Sequence, residues 1–353
     1  MTALEHIDPD LPRMVAEYCV RTYSHEAISA VEANGPDRKL WDGVEALGLP
    51  LIGVDEDRGG SGGSIIDLVA ALQVAGRYAA PVPLAETNLA GWLLASAGAP
   101  VPSGPMTVVS DASGLELRGG RLFGTAVRVP WLRGSERLVL LLADGPRTAV
   151  LSVDPGLLEI EAGCDLAGMP CDSFRAPGVP VDWWLSDLRP DDLALRGALL
   201  RSALMAGALR GAFDLTKAYV KEREQFGRPI GQFQSVQAHL VEIAQAATMT
   251  ALCVERAAFA AANGDADLAI MATKSVLGHH TAHGARAAHQ AHGAIGVTQE
   301  YGLQLLTRRL NTWRGEFGDD ISTNLALGQA VLDAGSIMQP ITAVPQRAGV
   351  GHG

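Results

Sequence analysis

The sequence predicts a mainly α-helical protein with a central β domain, and three observations carry that expectation. Apolar residues recur at helical spacing through the N-terminal region. Short alternating or continuous apolar runs take over from about residue 105 to 185, and two long alanine-rich segments follow them. The 353 residues exceed the usual size of a single core. We therefore expect a helical domain at 1–103, a small antiparallel β sandwich or barrel at 104–186, and a second helical domain at 187–353.

In the first region Met14, Val15 and Cys19 mark one apolar stripe, Leu40, Trp41, Val44 and Leu47 a second, and Ile65, Leu68, Val69 and Leu72 a third. Arg58-Gly-Gly-Ser-Gly-Gly63 separates the second from the third. Ala80-Pro-Val-Pro83 stops the third, because proline lacks the amide donor a helix needs. In the second region Thr107-Val-Val, Leu115-Glu-Leu-Arg118, Leu138-Val-Leu-Leu-Leu142 and Ala149-Val-Leu-Ser-Val153 read as strands between Gly, Asp and Pro. In the third, Gly207 and Gly211 lie one turn apart on a helix from Leu199 to Val220, where they let another backbone approach closely. With Ala246-Ala247, these small-residue faces predict oligomerisation through the C-terminal helices. Val236, Leu240, Ile243, Ala247, Ala251 and Val254 then repeat along one face of the next helix. Pro229 requires the earlier helix to end near Gly227, which puts Arg223 and Phe226 at a helix C-terminus.

Composition narrows the function classes. With 48% hydrophobic and 19% charged residues the chain is far from the signature of disorder. Against 39 Asp+Glu stand 28 Lys+Arg, a formal charge of −11 that repels a phosphate backbone, so nucleic acid is not an expected partner. Cys19, Cys164, Cys171 and Cys253 form no CxxC pair, so neither a zinc site nor a disulfide framework is indicated, and a reducing cytoplasm fits. The N-terminal MTALEHIDPDLPR has no apolar run, and no later stretch is long and apolar enough to predict export or membrane anchoring. His279, His280, His283, His289 and His292 raise the question of a metal, but no Glu completes an HExxH pattern, so no metal is expected.

Two glycine-punctuated stretches carry the chemistry. In REQFGRPIGQFQ, residues 223–234, Arg223 presents a planar set of donors suited to phosphate or carboxylate, and Phe226 offers an aromatic face beside it. Together they suit a nucleotide cofactor, although a capping Arg and a core Phe would look the same. In QAHGAIGVTQE, residues 290–300, Gly293 and Gly296 let backbone amides approach a pyrophosphate, and Gln290 can both donate and accept. A simple interhelix turn is the alternative.

The pattern Arg223-x-Gln-Phe-Gly-x-Pro-Ile-x-x-Phe-Gln234, followed by Gln290-x-His-Gly-x-x-Gly-x-Thr-x-Glu300, resembles the acyl-CoA dehydrogenase family of flavoproteins in both residues and spacing. Leu40-Trp41, Ala46-Leu-Gly48, Gly59-Gly60 and Gly76-Arg-Tyr-Ala-Ala-Pro-Val-Pro83 look like that family's N-terminal helical domain. The resemblance extends to the shorter, degenerate subunits of actinobacterial heteromeric acyl-CoA dehydrogenases. It implies a helical domain, a middle antiparallel β domain and a C-terminal four-helix bundle. It also implies FAD as cofactor, with contacts from Arg223, Gln225, Phe226, Gln234, Gln290 and Gly293, partly across a subunit interface. An acyl-CoA thioester is the implied substrate and an electron-transferring flavoprotein the implied electron acceptor. The implied assembly is a homo-oligomer or a heteromer with a complete acyl-CoA dehydrogenase chain.

Two departures qualify what the resemblance implies. The family's Thr-Glu-Pro-x-Ala-Gly-Ser-Asp-like loop is replaced by Thr107-Val-Val-Ser-Asp-Ala-Ser-Gly114, and Val127-Arg-Val-Pro130 stands where a Trp-x-Thr segment falls. α,β-Desaturation also needs a carboxylate to take the α proton. One family position for that base is Gly197 here, and the other falls at Phe317, leaving the adjacent Glu316 as the catalytic candidate. Three readings follow. The chain is a dehydrogenase in its own right, a scaffold subunit that completes a partner's FAD site, or a flavin-free acyl-binding or structural protein.

Overall fold

The computed structural model describes residues 8, 10–144, 147–264 and 266–333. The outer ends of the first and third expected domains, 1–7 and 334–353, lie outside them. Five helices come first: α1 (Asp10–Thr22), α2 (His25–Asn34), α3 (Arg38–Ala46), α4 (Ile65–Arg77) and α5 (Leu84–Ser96). Their starts are written in the sequence. Ser24 caps α2 through the Ala27 amide, and Ser64 and Asp67 form a reciprocal capping box on α4. Every residue of α5 from Leu84 to Gly91 is buried, so this helix has no polar face and sits inside the molecule.

The chain then forms two four-stranded sheets. One has the order β1-β4-β5-β8 (Met106–Val108, Arg137–Asp144, Arg147–Val153, Asp182–Ser186), the other β2-β3-β7-β6 (Leu115–Arg118, Arg121–Pro130, Cys171–Pro180, Glu159–Glu161). Pairing is antiparallel except between β1 and β4. The continuous apolar run of β4 has a clear cause. Leu138, Leu140 and Leu142 point into the core between the sheets, while Val139 and Leu141 join the core shared with the helices. A strand buried on both faces loses polar alternation.

The C-terminal helices are α6 (Pro190–Glu222), α7 (Gln234–Ala262), α8 (Asp267–His292), α9 (Leu303–Arg314) and α10 (Asp320–Asp333). None of the described helices is long and apolar enough to cross a membrane. The small-residue faces are used differently from expectation. A Cβ at Gly207 would lie 1.9 Å from the Gln73 carbonyl oxygen and one at Gly211 2.4 Å from that of Arg77, so these glycines admit α4 of the same chain. Ala246 and Ala247 are likewise buried in the internal core. The glycine spacing was therefore read correctly as close backbone approach and wrongly as an interface between chains.

The end of α6 also differs from expectation. The helix stops at Glu222, and residues 224–229 form a hairpin whose strands β9 (Glu224–Gln225) and β10 (Arg228–Pro229) leave Phe226 and Gly227 as a two-residue turn. Both turn residues have positive φ, 53° and 79°, as the tight hairpin turn with the right-handed twist requires. Proline at 229 is tolerated because this ribbon has only two strands.

Candidate functional site

Three parts of the chain converge on a small inner cavity of about 30 Å³, room for one water molecule. Glu86 comes from α5, Arg201 from α6, Glu316 from the turn after α9, and Pro130, Trp131, Asp165 and Cys171 from the β domain. Arg201 is 2% exposed, its Nε donating to Glu316 Oε2 at 2.5 Å and its Nη2 to Glu86 Oε1 at 2.6 Å. Burial works against the Arg201 charge, but the two carboxylates more than offset it, and the guanidinium is held above its ordinary range. Burial pushes the Glu316 carboxyl up from its ordinary value, with Arg201 pulling in the opposite direction. Cys171 is also pushed up, to about 12, chiefly by burial, so its thiol stays protonated.

Next to Glu316 the loop turns outward. Phe317 takes φ 52° and packs on Gly197, where an added Cβ would fall 2.3 Å from its ring. The two positions considered for a base are thus neighbours in space, one lacking a side chain and the other holding a phenyl ring. Phe317 also lines an outer cleft of about 460 Å³ between α6, α8 and α10. On the floor of that cleft Lys274 is buried, donates to the Trp313 carbonyl at 2.9 Å, and is pushed down to about 8 by desolvation.

The second constellation lies where α6 and α8 end. Arg223, Gln225, Phe226, Gln234, Gln290 and Gly293 are all solvent-exposed, Phe226 at 92%. Gly293 has φ 66° with open space where a Cβ would be. A stack ties the two helix ends together. Tyr219, one turn before Arg223, lies 4.6 Å from the His292 ring, and Tyr301 closes the other side. His292 Nδ1 donates to the Ala288 carbonyl at 2.8 Å, which leaves Nε2 to accept from the Tyr301 hydroxyl at 3.2 Å. This fixes one neutral tautomer, and burial lowers the ring's affinity for a second proton. A guanidinium that is unpaired among the described residues, three exposed amides, an exposed aromatic ring in edge contact with Phe233 and an open glycine form a donor set that fits a nucleotide diphosphate. The remaining histidines do not join it. The His279 and His283 rings lie 4.2 Å apart, tilted by 33°, elsewhere along α8.

Residues 10–101 match the acyl-CoA dehydrogenase N-terminal domain, and residues 195–320 the acyl-CoA dehydrogenase C-terminal domain. Over 239 residues the chain is 30% identical to acyl-CoA dehydrogenase IpdE2 of Mycolicibacterium smegmatis, an overlap of 66% of this chain and 70% of that protein. The chain belongs to the acyl-CoA dehydrogenase family. It is also 32% identical over 295 residues to acyl-CoA dehydrogenase FadE34 of Mycobacterium tuberculosis, covering 80% of this chain but only 40% of FadE34's length. Its fold is shared with the Tcur3481-Tcur3483 steroid ACAD G363A variant, at a TM-score of 0.84 and 24% identity over 92% of this chain and 98% of that one. The ChsE4-ChsE5 complex from Mycobacterium tuberculosis is similar, at 0.83 and 21% identity over 92% and 96% of the two chains.

Within this acyl-CoA dehydrogenase fold, sequence reading named Glu316 but missed the residues that hold it. Arg201 carried a usable signal, as a lone charge in the apolar run Gly197-Ala-Leu-Leu-Arg-Ser-Ala-Leu-Met205. A cation there needs a buried counter-charge. Glu86, 115 residues away along the chain, carried none. Tyr219 was equally silent, since a tyrosine at the end of a helix is ordinary.

Proposed function

We propose that this chain is one subunit of an FAD-dependent acyl-CoA dehydrogenase built from unlike chains. In this reading it offers the Arg223 and Gln290 face to the flavin nucleotide and leaves proton abstraction to its partner. The observation that carries the reading is the engagement of Glu316 by Arg201, inside a charged cavity of about 30 Å³, too small for an acyl chain. A general base must reach the α carbon with a free lone pair. Glu316 is paired with a buried guanidinium that also holds Glu86, and freeing it would leave a buried carboxylate without its counter-charge.

FAD, when bound, supplies the two-electron acceptor for the β-carbon hydride. Arg223 would donate to its diphosphate, Gln225, Gln234 and Gln290 would bond its polar edges, Phe226 would cover an apolar surface, and Gly293 would admit it close to the backbone. Electrons would leave to a separate electron-transferring flavoprotein. The substrate would be a fatty-acyl or steroid CoA thioester. Support for unlike chains comes from the two similar structures, each named for a pair of proteins.

A second reading, a chain competent by itself with Glu316 as the base, is favoured by the burial that raises this carboxyl, since a base works best when tuned upward. E316Q separates the two. In the first reading the assembled enzyme keeps its rate. In the second, flavin reduction by an acyl-CoA slows by about two to four orders of magnitude. R223A and Q290A should each lower flavin occupancy, and unchanged occupancy in both would remove the assignment of that face.

A further inference from the structure

The chain has four lysines, and one of them is inside the protein. Lys39, Lys217 and Lys221 are exposed, whereas Lys274 is 4% exposed. It sits two turns into α8, on the floor of the outer cleft of about 460 Å³, a size typical of small-molecule pockets. Leu195 and Ala198 of α6, Ile270 and Met271 of α8, Phe317, and Ala326 of α10 give that cleft apolar walls. A buried ammonium is costly unless a carboxylate stands against it.

Among the described residues no carboxylate pairs with it. Glu316 and Asp320 favour its charge and Arg201 opposes it, but Glu316 is held by Arg201 and Asp320 by Arg314. Elsewhere around the cleft Asp267 pairs with Arg189, and Asp191 lies on the first turn of α6. The Lys274 amine donates instead to a neutral group, the Trp313 carbonyl, at 2.9 Å. Burial is the largest influence on it and brings it down to about 8. An uncharged amine that donates one hydrogen to a carbonyl keeps its lone pair, and desolvation in an apolar pocket is one of the ways a lysine becomes a nucleophile.

We propose that Lys274 is a covalent acyl-acceptor site, which takes the acyl group of a thioester entering the outer cleft. The neutral Nζ attacks the thioester carbonyl carbon. A C–N bond forms as the C–S bond breaks, the sulfur leaves with the proton that the nitrogen gives up, and nothing is oxidised or reduced. The product amide carries no charge and lays its acyl chain against the apolar walls, so modification removes the buried ammonium and fills the cleft. The proposal takes its thioester class from the reading above, yet the two fail separately. R223A and Q290A report on flavin occupancy at the far end of α8, and labelling of Lys274 does not depend on them.

The test incubates the full chain with S-acetyl-N-acetylcysteamine, a small uncharged thioester, between pH 7 and 10, and locates the acylated residues by peptide mass mapping in the parent, K274R and A326W. At pH 8 Lys274 should label about tenfold or more faster than Lys39, Lys217 or Lys221, because about half of an amine near 8 is neutral there, against under about one in a hundred at the ordinary value. Its rate should level off above about pH 9 while theirs still climb. Ala326 is exposed on α10, so A326W narrows the cleft from outside and should slow labelling of Lys274 while leaving the other lysines as they were. Acylated parent should melt higher than untreated parent at pH 7, and K274R, which keeps a cation in place, should gain nothing from the same treatment. Equal labelling of all four lysines, or labelling of the exposed three alone, overturns the proposal. So does a Lys274 rate unchanged in A326W, or a melting gain in K274R as large as the parent's.

Discussion

Replacing Arg201 by methionine, R201M, keeps the side chain's length and deletes the cation between Glu86 and Glu316. The exposures are 2%, 6% and 18% for Arg201, Glu86 and Glu316, so little water can take over the guanidinium's role. Removing one member of a buried pair typically costs about 3–5 kcal/mol, and here two carboxylates lose their partner at once. We expect R201M to lose about that much stability at pH 7 by urea denaturation. Its orphaned carboxylates should then take up protons more readily in the folded state than in the unfolded chain. A raised folded value means stability is present at low pH and lost as pH rises, so the deficit should shrink between pH 7 and pH 5. The triple variant E86Q/R201M/E316Q, in which no charge is stranded, should recover most of the loss. A deficit below about 1 kcal/mol at pH 7, or one that ignores pH, would refute the claim that these three side chains form one buried charge unit.

Lys274, depressed by burial to about 8 from an ordinary 10.5, costs stability while charged, a cost removed only as pH climbs through that window. K274M should therefore be more stable than the parent at pH 7 by up to about 3 kcal/mol, with the gap closing between pH 8 and 10.5. The Trp313 carbonyl still accepts from the Glu316 amide at 3.2 Å, so no buried acceptor is orphaned, and a gap that stays constant with pH would contradict the assignment. G207A should lose about 1–3 kcal/mol by forcing α4 and α6 apart, with the molecular mass by light scattering unchanged. A change of mass with stability intact would return the glycine face to an interface between chains. E316Q should keep FAD bound and alter the visible spectrum little, since the carboxylate faces Arg201 and the α6 C-terminal face lies elsewhere.

What could be read in advance followed the range of the interactions. Helices α1, α3 and α4 announced themselves because their apolar stripes repeat within a dozen residues, and β4 and β5 because their runs are continuous. Strand β7 was missed, since Pro177 and Gly178 interrupt Ser173-Phe-Arg-Ala-Pro-Gly-Val179 and hide its alternation. The hairpin at 224–229 was missed because its first turn residue is Phe226, where glycine or asparagine would have signalled positive φ. Arg223, Phe226 and Gln290 were legible as a motif, but the Tyr219–His292 stack linking their helices joins residues far apart in sequence. The Glu86–Arg201–Glu316 cluster was illegible for the same reason: ion pairing between distant helices leaves no periodicity.

Helix α6, 33 residues without interruption, acts as a ruler inside the molecule. At 1.5 Å per residue it is about 50 Å long, and Arg201 and Arg223 stand about 33 Å apart along it. That separation is several times the range over which mutational effects interact directly. Stability changes made at the two positions should therefore add in the isolated chain. Any coupling energy measured between them in the working enzyme would have to be carried by something the lone chain lacks, a second polypeptide or a bound nucleotide, and a double-mutant cycle run with and without each would identify the carrier.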